Sequence, residues 1–98
     1  METEIIRNGG DITVAVSGHL DTLTAPELTA LLDGLYDDAQ NLVLDFKNLE
    51  YISSAGLRLS INAFQTMKKK SGTFTIINAD NAIAGIYRMT RLDEILKI

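Results

Sequence analysis

Residues 42–59 read Leu42-Val43-Leu44-Asp45-Phe46-Lys47-Asn48-Leu49-Glu50-Tyr51-Ile52-Ser53-Ser54-Ala55-Gly56-Leu57-Arg58-Leu59. The run Leu42–Phe46 is short and almost wholly apolar, the pattern of a strand covered on both faces. From Ser54 the period changes. Leu57, Ser60, Ile61, Ala63, Phe64 and Met67 recur on one face of a helix running to about Lys70, while Arg58, Asn62, Gln65, Thr66 and Lys69 fall on the other. Leu59 fits neither face and lies at the edge of the polar one. Lys68-Lys69-Lys70 before Gly72 suits the negative C-terminal end of that helix dipole.

Upstream, Ile5 and Ile6 lead into Asn8-Gly9-Gly10-Asp11, a hairpin-turn composition. Ile12, Val14 and Val16 then alternate with Asp11, Thr13 and Ala15 at strand period, and Gly18 is expected to end the strand. Thr24-Ala25-Pro26-Glu27 fits a capping box, with Pro26 in the first turn and Leu23 and Leu28 placed for a hydrophobic staple. Leu28, Leu31, Leu32 and Leu35 make the apolar stripe of that helix, which is expected to end near Asp38 to Gln40. Phe74–Ile77 reads as a further strand, Asn81–Tyr87 as a short helix and Asp93–Lys97 as a last helical turn or two. The order β-β-α-β-α-β-α-α predicts an α/β fold: one domain over 1–98, a small mixed sheet with helices packed on it. Sites in such sheets form beyond the carboxyl ends of strands. The Gly18–Leu23 and Leu49–Ser54 loops both lie at such ends and are expected to meet.

Ninety-eight residues suffice for one core and not two, and 46% apolar with 22% charged residues is a globular balance. No apolar run is long enough to cross a membrane and no signal segment opens the chain, so neither membrane nor secretion is expected. Without cysteine and with a single histidine, no metal or thiolate chemistry is expected, and no cofactor. A net charge of −4 argues against nucleic acid as partner. The composition fits a cytoplasmic protein that acts on another protein.

Ser53 and Ser54 place two hydroxyls at a helix N-terminus, where unpaired N–H groups and the dipole favour negative charge. The plain alternative is one capping serine and one loop serine. No Glu or Gln follows either by three residues, and Gly56 in the first turn costs about 1 kcal/mol of helix propensity, which suits the close approach of another backbone or a kinase. Asp45 is expected to accept hydrogen bonds that hold the serine loop. Asp21 is a turn or capping residue, and His19 a surface histidine. A Ser54–His19–Asp21 or Ser54–His19–Asp45 triad has only the trailing glycine, Gly56, of a nucleophile elbow, so catalytic residues are not expected.

Gly18-His19-Leu20-Asp21, Thr24-Ala25-Pro26-Glu27-Leu28 and Asp45 through Arg58 together resemble the STAS domain, the sulfate transporter and anti-sigma factor antagonist family, and in particular its stand-alone bacterial antagonists. The resemblance covers essentially the whole chain. It implies partner switching. The unphosphorylated antagonist binds an anti-sigma factor that is also a serine kinase of the GHKL type, and so frees a sigma factor. Phosphorylation at the start of the second helix abolishes binding, and a serine phosphatase resets it. Matched residue by residue, the phosphoacceptor falls on Ser54, with Ser53 the alternate. Sporulation-type members carry an Asp before that serine and a second serine after it, positions held here by Ser53 and Ala55.

The partner surface then comprises Asp21, Ser53, Ser54, Gly56, Arg58 and Leu59, with Arg58 and Leu59 expected to be exposed beside Ser54. The chain is expected to be a monomer or weak dimer. Two other functional classes compete: a non-switching STAS adaptor subunit of a transport or sensory complex, with Ser54 a helix cap, and a small acid/base enzyme using Asp21, Asp45 or His19.

Overall fold

The computed structural model describes residues 1–96; Lys97, the expected end of the last helix, lies outside the described residues with Ile98. The elements are β1 (Glu2–Asn8), β2 (Asp11–Leu20), α1 (Ala25–Asp33), β3 (Asn41–Asp45), β4 (Leu49–Ile52), α2 (Ser54–Lys69), β5 (Thr73–Ile77), α3 (Asn81–Met89) and α4 (Leu92–Leu96). The expected order holds with one strand added, β4, where a loop was expected.

The sheet runs β1-β2-β3-β5, with β4 paired to β2. β1 and β2 form the antiparallel hairpin that Asn8-Gly9-Gly10-Asp11 announces: Asn8 faces Asp11 and Gly9 takes φ +61°. β2 pairs in parallel with β3 over Asp11–Ala15, and β3 with β5 from Asn41↔Thr73 to Asp45↔Ile77. β2 does not end at Gly18. The register shifts between Gly18 and His19, Gly18 adopts φ +84°, and the strand continues to Leu20 to pair with β4. A left-handed glycine lets one strand bend away from β3 and serve a second parallel neighbour.

Ile12, Val14, Val16, Leu42, Leu44, Phe74 and Ile76 point inward and are buried, while the alternating residues Thr13, Ala15, Val43 and Thr75 look outward on the open face. Over the inner face pack Leu28 and Leu32 of α1, Ala63 and Met67 of α2, Ile83 and Tyr87 of α3 and Leu96 of α4. The leucine stripe of α1 is in place, although the helix ends at Asp33 and continues to Asp38 only as turns. Gly34 and Leu35 donate there to the Leu31 and Leu32 carbonyls. The lysine run is also more than a solvated helix end. Lys70 Nζ donates to the Tyr36 carbonyl and, at 3.3 Å, to that of Asp37, tying the end of α2 to the turns after α1.

One buried polar contact crosses the core. Ser60 Oγ donates to the Gly56 carbonyl at 2.9 Å and lies 2.8 Å from the Tyr87 hydroxyl, joining α2 to α3. Both side chains are fully buried. Burial pushes the Tyr87 phenol up to about 12, against the opposing effect of the Ser60 hydrogen bond.

Candidate functional site

The two loops expected to meet do so through backbone pairing. Gly18, His19 and Leu20 of β2 face Leu49, Tyr51 and Ile52 of β4, and Ser53 N–H donates to the Leu20 carbonyl at 2.9 Å. The chain therefore enters α2 directly beside the loop that enters α1.

The serines divide the work between them. Ser53 is the N-cap, extended at φ −106° and ψ 179°, and its Oγ accepts from Ala55 N–H at 3.3 Å. Its carbonyl accepts from Gly56 and Leu57. Ser54 is the first helical residue; it is exposed, and its hydroxyl has no hydrogen-bond partner among the described residues. The capping role open to either serine in the sequence falls to Ser53, which leaves Ser54 Oγ free at the positive end of a 16-residue helix.

Asp21 organises the neighbouring loop. One carboxylate oxygen accepts from Leu23 N–H at 2.9 Å, Thr24 N–H at 3.1 Å and Thr24 Oγ1 at 3.2 Å. The hydrogen bond from Thr24 N–H, helped by those from Leu23 and the Thr24 hydroxyl, holds the Asp21 carboxyl below the usual carboxylate range. This arrangement displaces the expected capping box. Thr24 makes no side-chain cap, because its one hydroxyl proton is shared between the His19 carbonyl, at 2.7 Å, and the Asp21 carboxylate, while its oxygen accepts from Asp21 N–H. Nor does the staple close, since Leu23 is 84% exposed.

Other sequence expectations are corrected. Leu59 is 5% exposed, not a free surface side chain. α1 lies across α2, so the flank that a helical wheel leaves polar is partly covered by a second helix. Leu59 instead helps line an open groove of about 510 Å³ between the two helices, with Arg58, Ala55, Ala25 and Pro26. Gly56 is buried as well; an added Cβ would meet Ile52 Cγ1 at 2.5 Å and Leu20 Cγ at 3.0 Å, so its smallness serves inward packing. Asp45 does not hold the serine loop. Its carboxylate accepts from Lys47 N–H and Asn78 Nδ2, both at 3.0 Å, and it lines a groove on the open sheet face with Glu2, Glu4 and Ser17.

Arg58 is exposed as expected, one helical turn after Ser54. His19 Nε2 pairs with Glu50 at 3.5 Å and its ring meets Tyr51 edge-on at 5.7 Å, an arrangement with no serine in it. Tyr51, 50% exposed, and Leu23, expected to close a staple, are instead apolar surface residues beside the serine loop. No helix of the described residues is long and apolar enough to cross a membrane.

The fold recurs in known proteins. The STAS domain family model matches residues 2–98. The chain belongs to the STAS family. This STAS domain is 26% identical over 98 residues to the anti-sigma-B factor antagonist of Bacillus subtilis (strain 168), covering all of this chain and 90% of that protein. It is 24% identical to the anti-sigma F factor antagonist of Paenibacillus polymyxa, covering 86% of it. Among solved structures, an anti-sigma factor antagonist from Mycobacterium paratuberculosis matches with TM-score 0.87 and 27% identity over 97% of this chain and 81% of its own. The phosphorylated form of the Bacillus cell fate determinant SpoIIAA matches in fold with TM-score 0.79 at 12% identity, over 95% of this chain and 86% of its own.

Proposed function

We propose that this STAS domain is an anti-sigma factor antagonist of the bacterial cytoplasm that works by partner switching. In the unphosphorylated state it binds an anti-sigma factor that is a GHKL-type serine kinase, and a sigma factor is released. The kinase transfers the γ-phosphoryl group of ATP to Ser54 Oγ; the hydroxyl proton leaves, ADP is the other product, and binding is lost. A serine phosphatase hydrolyses the ester and resets the chain. The observation that carries this reading is the division of roles at the helix tip, where Ser53 is consumed as the cap and Ser54 presents an unbonded, exposed hydroxyl. The names of the relatives in Bacillus subtilis and Paenibacillus polymyxa support it.

The physics suits a switch of this kind. A phosphate adds about −1.5 to −2 charges, and a helix N-terminus holds such charge without unfolding the domain. The effect falls on the interface instead, where a dianion desolvated against a partner costs several kcal/mol. The partner surface is the Asp21 loop, Ser53 and Ser54, and the Arg58 and Leu59 side of the α1–α2 groove. Intact mass with peptide mapping on protein purified from its native cells tests the reading. A phosphate on Ser54 is expected. A phosphate on Ser53 alone would reassign the acceptor, and none under any growth condition would overturn the switch in favour of a permanent adaptor.

A further inference from the structure

We propose that Arg58 is the internal counter-ion of a phosphate on Ser54, so that modification relocates a guanidinium as well as adding charge. The inference rests on Ser54 as the phosphoacceptor. Both residues are on α2 and both are exposed. Residues four apart on a helix are neighbours, and the favourable order places the anion on the N-terminal side, as here. Arg58 is available for the role. Among the described residues the ion pairs are Arg7–Asp38 and His19–Glu50, and none involves Arg58.

Asp33 of α1 lines the same groove as Arg58 without reaching ion-pair distance. Asp21, in the adjoining loop, is already engaged by two N–H groups and a hydroxyl. His19 is held by Glu50 at the β2–β4 end. The remaining cations of α2, Lys68 and Lys69, are in its last turn, about 20 Å along the axis. A guanidinium also suits the task better than an ammonium, because its planar fork matches phosphate oxygens two at a time.

The consequence is a two-part change from one modification. Without phosphate, Arg58 stands at the rim of the α1–α2 groove beside Ala55 and Leu59. With phosphate, the guanidinium is drawn back toward the helix tip. A partner that uses the groove meets a new anion at Ser54 and loses the cation from the rim.

The test installs phosphoserine at position 54 of the full chain by genetic encoding and follows its second ionisation by phosphorus NMR. That ionisation is expected to be lower by about 0.2–0.4 pH unit in the otherwise wild-type chain than in Arg58→Gln, the size that an exposed pair one turn apart supports. The gap is expected to narrow in high salt, and the Arg58 Nε–H resonance to move with the same midpoint. Lys69→Gln, at the far end of the helix, is expected to leave the ionisation unchanged. An identical ionisation in Arg58→Gln, or an equal displacement in Lys69→Gln, would overturn the proposal. No kinase takes part, so a negative result here leaves the native-cell mass measurement as the separate test of whether Ser54 is modified.

Discussion

Alanine in place of Gly56 should destabilise this protein, although the same change in an ordinary helix position stabilises. A helical Gly→Ala substitution gains about 1 kcal/mol from propensity. At Gly56 the added carbon would lie 2.5 Å from Ile52 Cγ1, 2.9 Å from Ile52 Cδ1 and 3.0 Å from Leu20 Cγ. Comfortable carbon contacts lie near 3.5–4.0 Å, so α2 must retreat by about 1 Å or Ile52 must leave its rotamer. Overpacking of this kind costs about 1–3 kcal/mol. Set against the propensity gain, the expected net loss is about 1 kcal/mol, a fall in Tm of about 4–8 °C for a domain of this size. Gly85 in α3 is the internal control. The nearest atom to its added carbon is Arg88 Nη2 at 3.7 Å, an ordinary contact, so Gly85→Ala is expected to raise Tm by a similar amount. Thermal unfolding followed by circular dichroism measures both. A Gly56→Ala variant more stable than wild type would refute the packing argument, because the helix tip would then not be pressed against β2 and β4.

Ser60→Ala strands the Tyr87 hydroxyl in the core and is expected to cost about 1–3 kcal/mol, whereas Tyr87→Phe leaves Ser60 bonded to the Gly56 carbonyl and should cost less; urea unfolding of the two variants gives the order, and the reverse order would contradict the assignment. The Asp21 carboxyl is depressed in the folded state, so its contribution is fully present above the ordinary carboxylate range and is lost as pH falls through the folded-state value. The Leu23 and Thr24 amide resonances are expected to titrate together there and to lose that titration in Asp21→Asn. Ser54→Asp should stay folded and bind the native anti-sigma factor on the order of a thousandfold more weakly, while Ser54→Ala should bind at wild-type strength and resist inactivation by the kinase. Titration calorimetry reads both, and tight binding by Ser54→Asp would count heavily against the switch.

Much of the fold is legible in local chemistry. The Asn8–Asp11 turn, the alternation of β2, the span of α2 and the inward turn of Ser60 all follow from residue type and period, because each depends on near neighbours. What escapes depends on tertiary geometry. β4 carries only four residues in a buried-exposed-exposed-buried pattern without alternation, and it exists because β2 bends at Gly18 to meet it. The capping box at Thr24 loses to Asp21, whose charged oxygen accepts three hydrogen bonds that a serine-type cap cannot match. Leu59 is hidden because a helical wheel describes one helix and says nothing of the second lying across it. At the site itself, the serine pair was visible from the sequence; which serine spends its hydroxyl on the backbone is a matter of one dihedral angle and one 3.3 Å contact.

All seven residues of β1 are exposed, including Ile5 at 39% and Ile6 at 55%. That strand contributes almost nothing to the oil-like interior and is fastened by its ladder to β2 and by the Arg7–Asp38 ion pair. Its value is as a selvedge. It occupies the hydrogen-bonding edge of the longest strand in the molecule, a ten-residue run that would otherwise invite any passing extended chain to pair with it. An N-terminal clip that removed it would leave the buried core residues in place but bare that edge, turning a self-contained domain into one that recruits its neighbours.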